Sequence, residues 1–488
     1  MTEVANINRE IALPYTAVNG VFYAFRNGRL ELAGDPRKLI QAEMTLDPRA
    51  IFSVLQFGAI IPPLTPWREI GRLPPGYRYR IRPDALPERG EPLPLDSDPS
   101  AEGVEDLDGR ADRIEAVLDA SLASAQIDLL LFSGGIDSGL MAARLAASGR
   151  RDVSLVNFAF GDSDPESSVA ETMARHLGMR FERLRSADVD LAECLDEPGQ
   201  VYPVPIGDMS VAPTSALARA VVARVARTSS VLDGTGADGA FGMGGKLRLW
   251  QRIGRIPRPL LNLTGMLQRS MWQREHRAER VTRLARRAGR MPLLAAVFAR
   301  NPLAGLFYDD SHALEVNDLL ERWLSGWPVR GFAQRAVAAD MAFVCANIYA
   351  QKAQAIFDAN DVRAVYPYMS PEMLGLGLRT VEAWAAGGAK APLKRALARC
   401  VPAGLVYRPK SPFADPRHTI MRGKTFIGHL RGTVLADGPL REYLVPARFS
   451  RAAELLQSGA RLPRSTLNCL WTTVFLDRWI RTVHARSS

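Results

Sequence analysis

Residues 127–139 read IDLLLFSGGIDSG: a short apolar run, two adjacent glycines, then hydroxyl and carboxylate side chains. An apolar run of that length closed by a glycine turn fits a buried strand of a parallel sheet. Helical composition resumes at once in LMAARLAAS (140–148), so the turn joins a strand to a helix. Adjacent glycines let the backbone turn tightly and aim successive N–H groups outward. The helix start adds its partial positive end, and together they make a cradle for phosphate. Ser133 and Ser138 can donate to phosphate oxygens. Asp137 would repel a bare phosphate unless a cation such as Mg²⁺ lay between them.

Working outward, ADRIEAVLDASLASA (111–125) has helical spacing, VSLVNFAF (153–160) reads as a second strand, SVAETMARHLGM (168–179) as a second helix and SSVLDGTG (229–236) as a third strand end. This alternation predicts an α/β fold with a doubly wound parallel sheet beginning near residue 110. Past Gly244 the text turns helical, with Arg-rich runs such as QREHRAERVTRLARRAGR (273–290), and residues 250–488 are expected to be mainly helices packed on that sheet. Before it, YTAVNGVFYAF (15–25) alternates around Asn19-Gly20, and RNGRLEL (26–32) places a turn at Asn27-Gly28, which predicts a small β-rich unit. The Pro-, Gly- and acid-rich segment 83–109 reads as a linker, dividing the chain into residues 1–108 and 109–488.

Composition narrows the classes. With 488 residues, 47% hydrophobic and 23% charged, the chain is neither disordered throughout nor collagen-like. Lys+Arg 62 against Asp+Glu 52 leaves +10, which favours anionic partners without choosing among nucleotide, nucleic acid and membrane surface. Cys194, Cys345, Cys400 and Cys469 form no CxxC pair and the six histidines no HExxH, so a structural zinc is not expected. No stretch reaches the roughly 18–20 apolar residues of a membrane span, and the cytoplasm is the expected compartment. Between Lys246 and Arg300, Trp250 and Trp272 are interleaved among arginines. The stretch matches no nucleic-acid module and reads as a solvated helix face, so no nucleic-acid partner is expected.

The hexapeptide SGGIDS departs from GxxxxGK[ST] and resembles the loop of ATP pyrophosphatases, which cleave ATP to AMP and pyrophosphate. With NFAFGDSDPESSVAETMARHLG (157–178) and LDGTGAD (232–238) in the same order, the chain resembles the asparagine synthetase superfamily over most of its length. The resemblance implies that Leu131 and the 156–160 region, with Phe158, line the adenine. Gly234 would lie by the nucleoside, Ser133, Gly134, Gly135 and Ser138 would hold phosphate, and Asp137 and Asp238 would hold Mg²⁺. The segment 387–413, GGAKAPLKRALARCVPAGLVYRPKSPF, resembles the family's two-lysine segment. It implies that Lys390 and Lys410 face the departing pyrophosphate, where charge develops in the transition state. FGAIIPPLTPWREIGRLPPGYRYRI (57–81) resembles the late part of a glutaminase-like domain, here truncated. Position 2 is Thr2 and not Cys, so glutamine hydrolysis is not expected.

A member that keeps ATP activation without an ammonia source should use an amine of its substrate. Among the branches that do this, the chain looks most like the lasso peptide cyclases. The resemblance then implies ATP- and Mg²⁺-dependent macrolactam formation in a precursor peptide, with a leader-peptide protease and a recognition protein as further partners. Amide or β-lactam formation on a small amino acid, and a non-catalytic nucleotide-binding scaffold, are the alternatives. The tyrosine base of β-lactam synthetases has Thr235 at its position, and its glutamate partner falls near Gln351 or Lys352. The acidic positions of asparagine synthetase are Thr235 and Gly239, and its PFLD is Pro367-Tyr368-Met369-Ser370. Which group takes the amine proton is open, with Tyr349 and Tyr366 nearby in sequence.

Overall fold

A computed structural model describes residues 3–4, 8–41, 44–98, 106–159, 164–185, 191–263, 277–301, 306–307, 311–408, 417–435 and 437–487. The N-terminal part forms two antiparallel sheets. Strands β1 (Glu3–Val4), β3 (Phe22–Arg26), β4 (Arg29–Ala33) and β5 (Gly71–Arg72) pair in the order β1-β4-β3-β5. Strands β2 (Arg9–Ala12), β6 (Tyr77–Ile81) and β7 (Glu88–Pro92) pair in the order β2-β6-β7. The Asn27-Gly28 turn closes the β3–β4 hairpin with both residues at positive φ, 49° and 71°, as a tight two-residue connection requires. Asn19-Gly20 closes no hairpin, because β2 and β3 belong to different sheets. Strand β7 lies inside the stretch expected to be a linker; its backbone pairs with β6 although its side chains are mostly exposed, so no apolar pattern betrayed it. A ten-residue helix, Pro48–Phe57, buries eight consecutive residues between this unit and the rest of the chain.

The central sheet is parallel: β8 (Leu129–Leu131), β9 (Ser154–Ala159), β10 (Phe181–Arg185), β11 (Ser230–Leu232) and β12 (Arg363–Val365), ordered β10-β9-β8-β11-β12. Its two faces are both buried. Leu129, Val156, Leu184 and Val231 pack under the helices Val211–Val222 and Gln351–Ala359, whereas Leu130, Leu155 and Leu232 join the larger core with Leu140 and Leu145. Burial on both sides explains the uninterrupted apolar strands. The α/β reading therefore holds, but β10 and β12 add two strands that composition did not announce. FERLR is too polar, and β12 is only three residues long within a helical half.

Order follows chain direction on one side of β8 and then jumps to its other side for β11. The loops after β8 and β11 therefore leave the sheet as neighbours, at the point where open α/β sheets bind ligands. The N-terminal unit is not set apart from this core. The buried Arg72 donates to Asn347 Oδ1 at 2.8 Å, Gln351 donates to the Val18 carbonyl and Thr16 to the Met369 carbonyl.

Candidate active site

The glycine turn runs from β8 into the helix Ile136–Ala147. Gly134 sits at φ +67°, and an added Cβ would lie 2.6 Å from the Ala170 backbone, so the loop is pressed onto the helix Pro165–Leu177. Ser138 Oγ accepts from the Ser133 N–H at 3.2 Å, and Ser133 Oγ accepts from the Gly135 N–H at 3.2 Å. These bonds curl the loop around its own hydroxyls. No side chain caps the helix at Gly135, which leaves the first-turn amides facing outward for an anion. Across the switch point, a Cβ on Gly234 would meet Asp137 Cβ at 3.4 Å and Ser138 N at 3.6 Å, so the turn after β11 touches the phosphate loop.

The decisive geometry is an ammonium shared by two carboxylates far apart in sequence. Lys390 Nζ lies 2.6 Å from Asp137 Oδ2 and 2.8 Å from Asp238 Oδ1. Three elements converge here: the helix after β8, the short helix Ala237–Phe241 after β11, and the N-cap of the helix Ala391–Leu397. Burial pulls the Lys390 ammonium down, but Asp137 and Asp238 outweigh it and hold its pKa above the ordinary lysine value. The Lys390 side chain is 13% exposed and that of Asp238 70%, so the group opens to solvent on the Asp238 side. The Tyr368 hydroxyl donates to the Asp137 carbonyl at 3.0 Å from the turn after β12, bracing the loop from behind.

The sequence-derived residues Ser133, Gly134, Gly135, Asp137, Ser138, Gly234, Asp238 and Lys390 are thus brought together where β8 and β11 leave the sheet. Leu131 and Phe158 are half-buried on adjacent strands and pack on a single apolar cluster. Lys410 lies outside the described residues. Two residues before it, Arg408 forms a two-pronged ion pair with Glu166, at 2.8 and 2.7 Å, next to the N-terminus of the helix that supports Gly134. The Asp137 and Asp238 carboxylates are hard oxygen donors of the kind Mg²⁺ takes, and Mg²⁺ keeps few protein ligands. Among the described residues no group of three or more His, Cys, Asp or Glu forms a closed metal site.

The chain belongs to the asparagine synthase family. It matches that family over residues 115–481. Curated relatives from Mycobacterium bovis and Mycobacterium tuberculosis, each named "Putative asparagine synthetase [glutamine-hydrolyzing]", are 28% identical over 430 residues, covering 79% of this chain. The match takes in 61% of each relative's length, so this chain spans less than two thirds of them. Family membership covers the parallel sheet, the glycine loop and the Asp238 turn together.

Within the matched residues is a charged cluster whose grouping the sequence reading missed, although Tyr349 and Lys352 were named there singly. Asp208 accepts from Lys352 Nζ at 2.7 Å, from the Ser210 N–H at 3.0 Å and from Arg300, while the Tyr349 ring lies 4.4 Å from Lys352 Nζ and 5.4 Å from the Arg300 guanidinium. Burial pushes the Asp208 carboxyl up, but Lys352 and Arg300 overrule it and hold it well below the usual range. Tyr349 accepts from Arg300, and its pKa is raised to about 12; Tyr366 donates to the Ala350 carbonyl and burial raises its pKa well above the ordinary value. Neither phenol is a base near neutral pH. The cluster draws on residues 208, 300, 349 and 352, whose spacing has no period to notice. Asp208→Asn should destabilise the protein by about 3 kcal/mol at pH 7, because the buried Lys352 and the half-buried Arg300 lose their counter-charge. The carboxylate's contribution is fully present above its unfolded pKa and lost as pH falls through its depressed folded pKa, so the gap to wild type in urea melts should begin to narrow below pH ~4 and go on narrowing as the pH is lowered further. A gap unchanged at low pH would contradict that pairing.

Proposed function

We propose that this chain is an ATP-dependent amide ligase that closes a macrolactam in a precursor peptide. The observation that supports this most directly is Lys390 held between Asp137 and Asp238 at the sheet's switch point, beside a loop whose amides face an anion. A carboxylate oxygen of the substrate attacks the α-phosphorus of ATP, the bond to the β-phosphate bridging oxygen breaks, and pyrophosphate leaves. The amine nitrogen then attacks the acyl carbon, the bond to AMP breaks, and the amine gives up a proton.

Residues of the loop bind and orient the phosphates, and Lys390, with Lys410, offsets charge on the departing pyrophosphate. Asp137 and Asp238 would hold Mg²⁺, which supplies charge neutralisation on the phosphates. Holding amine and acyl group together lets capture outrun hydrolysis. Two departures favour an amine other than ammonia or a small amino acid: neither Thr235 nor Gly239 carries a carboxylate, and Thr235 cannot act as a neutral-pH base. The cyclase assignment rests on this resemblance and on those departures.

The test is pyrophosphate release by the full chain with ATP, Mg²⁺ and a synthetic peptide encoded beside it, Gly-first with Asp or Glu at about position seven to nine. The expected result is peptide-dependent release and a product lighter by one water. Release with small amino acids alone would favour the small-substrate ligase, and nucleotide binding without turnover a scaffold. Lys410→Ala should abolish product while leaving the fold intact, and unchanged turnover would remove Lys410 from the reaction.

A further inference from the structure

The helical stretch from Gly331 to Ala359 changes character at Asp340, where eleven residues, Asp340–Ala350, take up π-helical winding. Such winding is rare and recurs at functional sites, since it rotates side chains out of the register an α-helix would give them. Asp340 is the only acidic residue between 331 and 357, and it is followed by the buried Met341, Ala342 and Phe343. A Cβ built on Gly239, the neighbour of Asp238, would lie 2.9 Å from Asp340 Oδ2, 2.8 Å from Met341 Sδ and 3.0 Å from Cys345 Sγ.

Within the described residues this carboxylate has no ion-pair partner. Its hydrogen bond is from the Cys345 thiol, at 3.8 Å. Lys246 and Arg300 act on it only through space, and Asp238 opposes them. Asp340 is half-buried, and among the described residues its carboxylate lies by a thioether, a thiol and a glycine with no cation in contact, so it can accept from a cationic donor that reaches it. A primary ammonium arriving beside Asp238 is a small cationic donor that suits this carboxylate.

We propose that Asp340 supplies the carboxylate that holds the acceptor amine, in the volume that a side chain at position 239 would otherwise fill. The assignment rests on the amide-ligase reading and adds the residue that binds the amine before capture. Gly239 leaves the space, and the π-helical turn delivers the acid into it from another element. An ammonium group held there is presented from the Asp238 side of the site and passes one proton to the Asp340 carboxylate, which frees the nitrogen lone pair for attack on the acyl carbon.

Two readouts on the full chain separate the half-reactions, with the encoded peptide and its N-acetylated form as probes. Wild type should exchange labelled pyrophosphate into ATP with both peptides and close only the free-amine one. Asp340→Asn should keep exchange with the acetylated peptide within about twofold and lose closure by about 50-fold or more, with partial recovery in Asp340→Glu. In an Asp340→Ala background, Gly239→Asp returns a carboxylate to the same volume and should recover part of the closure. Undiminished closure by Asp340→Asn overturns the proposal. So does loss of exchange together with closure, which would place Asp340 in the nucleotide half. Absence of exchange by wild type with either peptide would instead bring down the ligase reading on which the proposal stands.

Discussion

Lys390→Met should lower pyrophosphate release by about 10³-fold or more, because a neutral side chain of similar length leaves the departing charge uncompensated. The substitution is chosen to isolate the charge. Lys390 is held at φ +57°, an αL conformation that disfavours any side chain but glycine's, and methionine keeps that backbone strain unchanged. Its N–H bond to the Phe241 carbonyl, 2.8 Å, also survives the change. The physical consequence for the apo protein can be read separately. Asp137 and Asp238 would then share one space without the ammonium that now lies within 2.8 Å of both, so the variant should melt lower without Mg²⁺. Millimolar Mg²⁺ should raise its Tm by more than it raises that of wild type, since the metal replaces the lost cation. Full activity in the variant, or an identical Mg²⁺ response, would show that the two carboxylates do not depend on Lys390.

Gly134→Ala should destabilise the chain by about 3 kcal/mol or more and abolish nucleotide binding. Two penalties add at this position. The backbone sits at φ +67°, and the new Cβ would lie 2.6, 2.7 and 2.9 Å from Ala170 Cα, Cβ and N. Those atoms belong to the helix Pro165–Leu177, which cannot give way locally without shifting its packing on the sheet. Gly149 provides the control, with φ +82° and nothing within 4 Å of an added Cβ. Gly149→Ala should cost about 1 kcal/mol, the conformational penalty alone, and leave nucleotide affinity unchanged. Equal losses in the two variants, measured by urea denaturation and calorimetric titration with ATP, would mean that close packing against Ala170 is not what position 134 requires.

The glycine turn and the strand before it were legible because their chemistry is local. A four-residue apolar run, Leu129–Phe132, two glycines and a helix start can only be arranged in a few ways, and the phosphate cradle follows from backbone geometry. The Asn27-Gly28 hairpin was legible for the same reason. β7 was not, because an edge strand with exposed side chains is held by backbone pairing that leaves no apolar pattern. β12 was hidden by its length, three residues whose strand character exists only beside β11.

By itself the sequence determined the strand–turn–helix at the glycine loop, the α/β alternation around it and the residue types that surround it, since each depends on neighbours a few positions away. Only the tertiary structure decided that Asp137, Asp238 and Lys390 meet in one ion-paired group, that Asp208 neutralises Lys352 and Arg300, and that Asp340 fills the space beside Gly239. These contacts join positions up to 253 residues apart. Charge pairing at such separations is set by where the sheet order reverses and how helices cross it, and it leaves no periodic trace along the chain.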